Sequence, residues 1–155
     1  MFNSIIAGVG HYVPDRIVKN EDLESIMETS NEWIVERTGI LERRHIVPGG
    51  EDTTSRMGTK AARIAIEKAG LQPDDIDFIV FATLSPDYYF PGPGVLVQEQ
   101  LGLKAEIGAL DVRNQCSGFI YALSVADQFI KTGMYKNVLV IGSEVHSGGL
   151  DMTTR

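Results

Sequence analysis

The stretch ALDVRNQCSGFIYAL, residues 109–123, decides how the rest of the chain is read. Its first residues have strand character, its last have helical character, and the chain's single cysteine, Cys116, sits where one hands over to the other. Phe119, Ile120, Leu123, Val125, Ala126, Phe129 and Ile130 wrap more than one face of the helix that follows. The spacing therefore predicts a largely buried helix from Cys116 to about Met134. The N-terminus of a buried helix offers unpaired N–H groups and about half a positive charge. A sulfur placed there is favoured as thiolate, the form that attacks carbonyl carbon. Gly118 keeps the first turn thin enough for a substrate to come close. The plain alternative is a small core hydrophobe, which is what a lone cysteine usually is. Position alone leaves both open.

Outward from this junction, strands and helices alternate. SIIAGVGHYVP (4–14) reads as a short strand stopped by Pro14, and NEDLESIME (20–28) as an amphipathic helix capped by Asn20. SNEWIVERTG (30–39) is a second short helix between a Ser30 cap and a Gly39 stop, followed by a small strand in ILERRHIV (40–47). TTSRMGTKAARIAIEKAG (53–70) sets Met57, Ala61, Ile64, Ala65 and Ala69 at helical spacing. IDFIVFATLS (76–85) is a continuous apolar run, as expected of a strand covered on both faces. The loop PDYYFPGPG, the helix VLVQEQLG, the strand IGALDV and the strand NVLVIGSEV complete the order. Such alternation argues for a layered α/β fold with a mostly parallel sheet, whose chemistry collects at the carboxyl ends of strands. GVGHYV (8–13) nearly matches a dinucleotide-binding fingerprint, but Val13 replaces its third glycine and Pro14 stands where a helix should start.

With 155 residues, 43% of them hydrophobic, the chain is long enough for about one domain with a real core. A net charge of -7 disfavours nucleic acid and anionic membrane surfaces as partners. One cysteine makes no internal disulfide, and there is no leader and no apolar run near the ~20 residues a bilayer requires, so a cytoplasmic setting is expected. His11, His45 and His146 are scattered, and no metal site is expected.

Two further stretches carry chemistry. In TSNEWIVERTGI, Trp33 and Arg37 lie four apart on a helix and share a face, where indole and guanidinium could grip a flat heteroaromatic ring. A core tryptophan beside a salt-bridged arginine is the bland reading. LSPDYYFPGPG (84–94) puts three aromatics on a turn-rich loop suited to lining a pocket or an interface.

TSNEWIVERTGILERR, DVRNQCSGFIYALSVAD and NVLVIGSEV, in this order and at these separations, closely resemble the N-terminal half of a β-ketoacyl-acyl-carrier-protein synthase III of the thiolase superfamily. The resemblance covers essentially the whole chain. It implies a thiolase-like α/β/α half domain over 1–155, with a mixed, mostly parallel sheet that lacks its last strand, the C-terminal half being absent. It implies an acyltransferase in which Cys116 accepts an acyl group from acyl-CoA and contributes one oxyanion-hole N–H. Thr29, Trp33 and Arg37 would hold coenzyme A, a substrate rather than a resident cofactor. Phe90 would reach across a homodimer to the neighbouring acyl pocket. The partner substrate would be malonyl-acyl carrier protein, and the reaction a decarboxylating Claisen condensation that initiates fatty acid or related synthesis.

A histidine and an asparagine needed for decarboxylation would come from the second half; none of the three histidines here is at a matching position. Residues 1–155 are accordingly expected neither to fold nor to act alone. The polar ending GGLDMTTR reads as a tryptic nick in an exposed loop or a truncated product. One departure from the pattern stands out: bulky polar Arg113, Asn114 and Gln115 precede the cysteine where many members have small residues. Other readings are a condensing enzyme of specialised metabolism with a different extender, or a non-catalytic acyl-CoA-binding scaffold in which Cys116 only packs.

Overall fold

The computed structural model describes residues 2–104, 106–114 and 116–154. In chain order the elements are β1 (Ile17–Lys19), α1 (Asn20–Glu24), α2 (Asn31–Thr38), β2 (Glu42–Arg44), α3 (Thr54–Lys68), β3 (Phe78–Ala82), α4 (Pro93–Leu101), β4 (Gly108–Val112), α5 (Gly118–Lys131) and β5 (Val138–Gly142). They form two compact units, Met1–Tyr12 with Thr53–Glu144, and Val13–Asp52 with Val145–Arg155.

The larger unit is a three-layer α/β/α body. Its sheet runs β4-β3-β5, all parallel, with Phe78 opposite both Gly108 and Val138. The continuous apolar run of β3 makes it the central strand, because both of its faces are covered. Ile79 and Phe81 face α3 and α4, packing with Ala62, Ile66, Val97, Leu101, Leu139 and Ile141. Val80 and Ala82 point the other way, onto Ala122 of α5. Gly58 allows the α3 contact, since a Cβ there would stand 2.9 Å from the Phe81 ring and 3.0 Å from Ile141.

The N-terminal segment departs from expectation. Residues 4–14 were expected to be a strand, yet residues 2–13 join no ladder. They are held instead through side chains and close packing. Ser4 Oγ donates to Asp127, Lys60 Nζ donates to Tyr12 Oη at 2.9 Å, and Gly8 and Gly10 press directly on α3. The cause lies in α3: Ala61, Ala65 and Ala69 form a small-residue stripe for this segment, while Ala62 and Ile66 take the sheet-facing stripe. Among the described residues, no strand pairs with the outer edge of β5.

The smaller unit is an antiparallel ribbon, β1 with β2, carrying two short helices. Asn20, expected as an N-cap, is fully buried in the first turn of α1. Its Nδ2 donates to Asn31 Oδ1 and to the Ile40 carbonyl, both at 2.9 Å, and its Oδ1 accepts from Arg43 at 2.8 Å. Lys19 takes the cap position, with its N–H on the Asp22 carboxylate at 2.8 Å. An amide satisfied on three sides serves better as a buried knot than as an exposed cap. Among the described residues no helix is long and apolar enough to cross a membrane.

Candidate active site

Cys116 lies on the turn between the carboxyl end of β4 and the start of α5, and it is exposed. The helix begins later than the sequence suggested, at Gly118 with Ser117 as N-cap, because the Ser117 hydroxyl accepts from Asn114 Nδ2 at 3.0 Å instead of capping a helix N–H. The opening turn therefore keeps backbone donors free of any side-chain cap. Gly118 is buried, but a Cβ there would meet only Ala82 and Asn114 at 3.5 and 3.6 Å, so no neighbouring chain demands glycine.

Within these 155 residues α5 is only partly covered. Only Gly118, Ala122 and Ala126 are buried, while Phe119, Ile120 and Tyr121 are 43%, 59% and 55% exposed. The sheet covers the stripe of small residues together with Val125, Phe129 meets Phe78 of β3 edge-on and Phe119 lies against Gly142 of β5, while Ile120 and Tyr121 project outward.

The loop after β3 carries Phe90. Its aromatics are as exposed as the sequence implied: Tyr88 61%, Tyr89 89% and Phe90 92%. Arg113 lies over the Tyr89 ring at 5.7 Å, so the segment leading to the cysteine touches this loop. Asn114 stands at the other side of that segment, and Gln115 lies outside the described residues.

Three carboxylates that the sequence reading passed over hold the loop. Asp87 accepts from the Ser55 N–H at 2.8 Å and from its hydroxyl at 3.0 Å, at the first turn of α3. Asp111, on β4, accepts from the Gly94 N–H at 2.9 Å at the start of α4. Burial pushes the Asp111 carboxyl up, against the opposing pull of the Gly94 N–H and the Arg113 charge. Gly92 is required here, as a Cβ would fall 1.9 Å from an Asp111 oxygen. Glu144, just beyond β5, takes the other side of the loop. A usable signal was present: each acid sits at a strand exit or in a Ser-Pro-Asp turn, where helix N-termini gather.

The other expected binding residues belong to the smaller unit. Ser30 caps α2, accepting from the Trp33 N–H at 3.1 Å, and Gly39 ends the helix with φ 69°. This one-turn register brings Trp33 and Arg37 together as expected, with the guanidinium 4.5 Å from the indole centroid. The two stack on each other. A ring sandwiched between them needs about 7 Å, two contact distances, so a flat ligand must use an outer face or displace the guanidinium. Arg37 is half exposed and pairs with Glu36 at 3.4 Å. Thr29 Oγ1 is buried and has no hydrogen-bond partner among the described residues, a costly state for a hydroxyl. Among the described residues no three His, Cys, Asp or Glu side chains gather as a metal site would require.

A layered α/β body with an exposed cysteine at a strand-to-helix turn is the arrangement that the fold and the site present, and its fold is thiolase-like. The 3-oxoacyl-[acyl-carrier-protein (ACP)] synthase III family model matches residues 110–155. A β-ketoacyl-[acyl-carrier-protein] synthase III of Brucella anthropi is 50% identical over 155 residues, 100% of this chain and 47% of the relative. The crystal structure of 3-oxoacyl-[acyl-carrier-protein] synthase III from Aquifex aeolicus VF5 superposes with TM-score 0.92 at 47% identity, covering 99% of this chain and 48% of that one. The priming β-ketosynthase from the R1128 polyketide biosynthetic pathway gives TM-score 0.90 at 34% identity, over 97% of this chain and 44% of that one. In sequence and in fold, the chain matches the N-terminal half of β-ketoacyl-[acyl-carrier-protein] synthase III. It spans about half the length of the relatives it resembles.

Proposed function

We propose that this chain is the nucleophile-bearing half of a β-ketoacyl-acyl-carrier-protein synthase III. The observation that carries the reading is an exposed Cys116 on an uncapped strand-to-helix turn, within a fold matching that family over 99% of its length. The Cys116 sulfur attacks the carbonyl carbon of an acyl-CoA, a new thioester forms, and coenzyme A leaves as the thiol, taking the proton. Free N–H groups at the turn stabilise the charge that develops on the carbonyl oxygen. Malonyl-acyl carrier protein then loses carbon dioxide. The carbanion so formed attacks the Cys116 thioester, releasing a 3-ketoacyl product and the cysteine thiolate, which regains its proton from water. The histidine and asparagine that assist decarboxylation come from a C-terminal half, so the 155 residues alone are inactive.

Coenzyme A is held by Thr29, Trp33 and Arg37. The half-exposed indole–guanidinium stack on α2 supports this, since it offers an outer face to a flat ring. The exposed Phe90 supports a role in the acyl pocket of a second copy, in a cytoplasmic homodimer. The R1128 relative favours a second reading, the same cysteine chemistry in specialised metabolism with a different extender.

The test supplies a C-terminal half from a close relative and measures 3-ketoacyl product from acyl-CoA with malonyl-acyl carrier protein or malonyl-CoA. Product with the carrier substrate supports the main reading and product with malonyl-CoA alone supports the second. Absence of product with either leaves a scaffold.

A further inference from the structure

The loop between β3 and α4 is clamped at its base and bare at its tip. Just past β3, three donors converge on the carboxylate of Glu144. The Leu84 N–H reaches Oε1 at 2.6 Å, the Ser85 N–H reaches Oε2 at 3.2 Å, and the Ser85 hydroxyl reaches Oε2 at 2.5 Å. The same residue is fixed from behind, as the Ser85 carbonyl accepts from the Thr54 hydroxyl. Further along, Asp87 is tied to the first turn of α3, and the far end is tied through Gly94 to Asp111. Between these anchors project Tyr88, Tyr89 and Phe90, all largely exposed.

We infer that Glu144 is a positioning residue: by gathering Leu84 and Ser85 it sets the direction in which Tyr89 and Phe90 project, and so which acyl chains the enzyme accepts. The inference rests on the proposed role of Phe90 in the acyl pocket. The reason lies in the donors. Two of the three are backbone N–H groups, which no side-chain change removes; the Ser85 N–H also reaches Thr83 Oγ1 at 3.1 Å, so without the carboxylate it is the Leu84 N–H that turns to water and its backbone that follows. A carboxylate offers two acceptor oxygens and no hydrogen, matching one donor on Oε1 and two on Oε2. Glutamine at the same place keeps one oxygen and turns an NH2 toward the remaining donors. The anchors at Asp87 and Asp111 and the Thr54 bond to the Ser85 carbonyl survive that change, so the loop stays attached while its backbone loosens at Leu84.

The experiment uses the chain complemented by a relative's C-terminal half, as wild type, Glu144→Gln, Glu144→Ala and Glu144→Asp. Amide exchange at Leu84 and Ser85 reads the clamp directly, and roughly tenfold or faster exchange is expected at Leu84 in the Gln and Ala variants, with Ser85 partly protected by Thr83. Cys116 acylation by acetyl-, butyryl- and octanoyl-CoA reads the consequence. The ratio of kcat/KM between short and long chains is expected to shift by roughly tenfold, mainly through KM, with partial return in Glu144→Asp, which keeps both oxygens. Unchanged exchange overturns the clamp. Faster exchange with an unchanged chain-length ratio overturns the positioning role. If wild type is acylated by none of the three, the proposed function fails instead, and the exchange rates at Leu84 and Ser85 still decide whether the clamp exists.

Discussion

Gly10→Ala tests how the N-terminal segment is held. A Cβ at Gly10 would stand 2.0 Å from the Ala61 carbonyl oxygen, 2.8 Å from the Ala65 nitrogen and 2.9 Å from Ile64 Cβ. An ordinary carbon–oxygen contact is about 3.3 Å, so the segment must retreat by roughly 1.3 Å. The obstacle is helix backbone, which cannot rotate aside as a side chain would. Overpacking of this kind costs about 1–3 kcal/mol, offset by about 0.4–1 kcal/mol because alanine has less unfolded-state freedom than glycine. A net loss of about 1–2 kcal/mol is expected. Gly8 meets the next turn in the same way, with a Cβ 2.1 Å from the Ala65 oxygen. One retreat relieves both clashes, so the double variant should lose clearly less than the sum of the singles. The assay is urea denaturation of the chain complemented by a relative's C-terminal half. A Gly10→Ala loss below about 0.5 kcal/mol, or full additivity in the pair, would refute the packing argument.

Two further outcomes are expected. The Asp151 carboxyl is held down to about 2 by the Thr153 hydroxyl, the Thr154 hydroxyl and the Thr153 N–H, in that order. A lowered value means that its hydrogen bonds stabilise the turn above the ordinary 3.8 and are lost as pH falls through about 2. An NMR titration should show this midpoint moving up toward 3.8 in Thr153→Ala, and no movement would contradict the assignment. Trp33→Ala, which removes the stacking face, should weaken coenzyme A binding by roughly tenfold or more in calorimetry. Unchanged affinity would remove Trp33 from the site.

The sequence was most legible where a single physical rule dominated. The apolar run of β3 announced a strand with two covered faces, and the Ser30 and Gly39 signals bounded α2 to the residue. The N-terminal stretch misled because a short apolar run does not by itself specify a pairing partner; Gly8 and Gly10 were the better signal, marking close approach to a helix. In α5 large apolar residues sit on several faces, and the 155 residues cover only part of them, the alanines most completely. Asn20 looked like a cap because caps and buried knots use the same amide. At the site, the cysteine junction was legible from the strand-to-helix handover. The three carboxylates were legible only as acids at strand exits or in a Ser-Pro-Asp turn; their partners, N–H groups far away in sequence, were not.

The most direct measurement is the intact mass of the chain, complemented by a relative's C-terminal half, after incubation with acetyl-CoA or octanoyl-CoA. The account requires one acyl increment per chain, present in wild type and absent in Cys116→Ser. No increment with any acyl-CoA, or one that persists in Cys116→Ser, would contradict the claim that this sulfur accepts the acyl group.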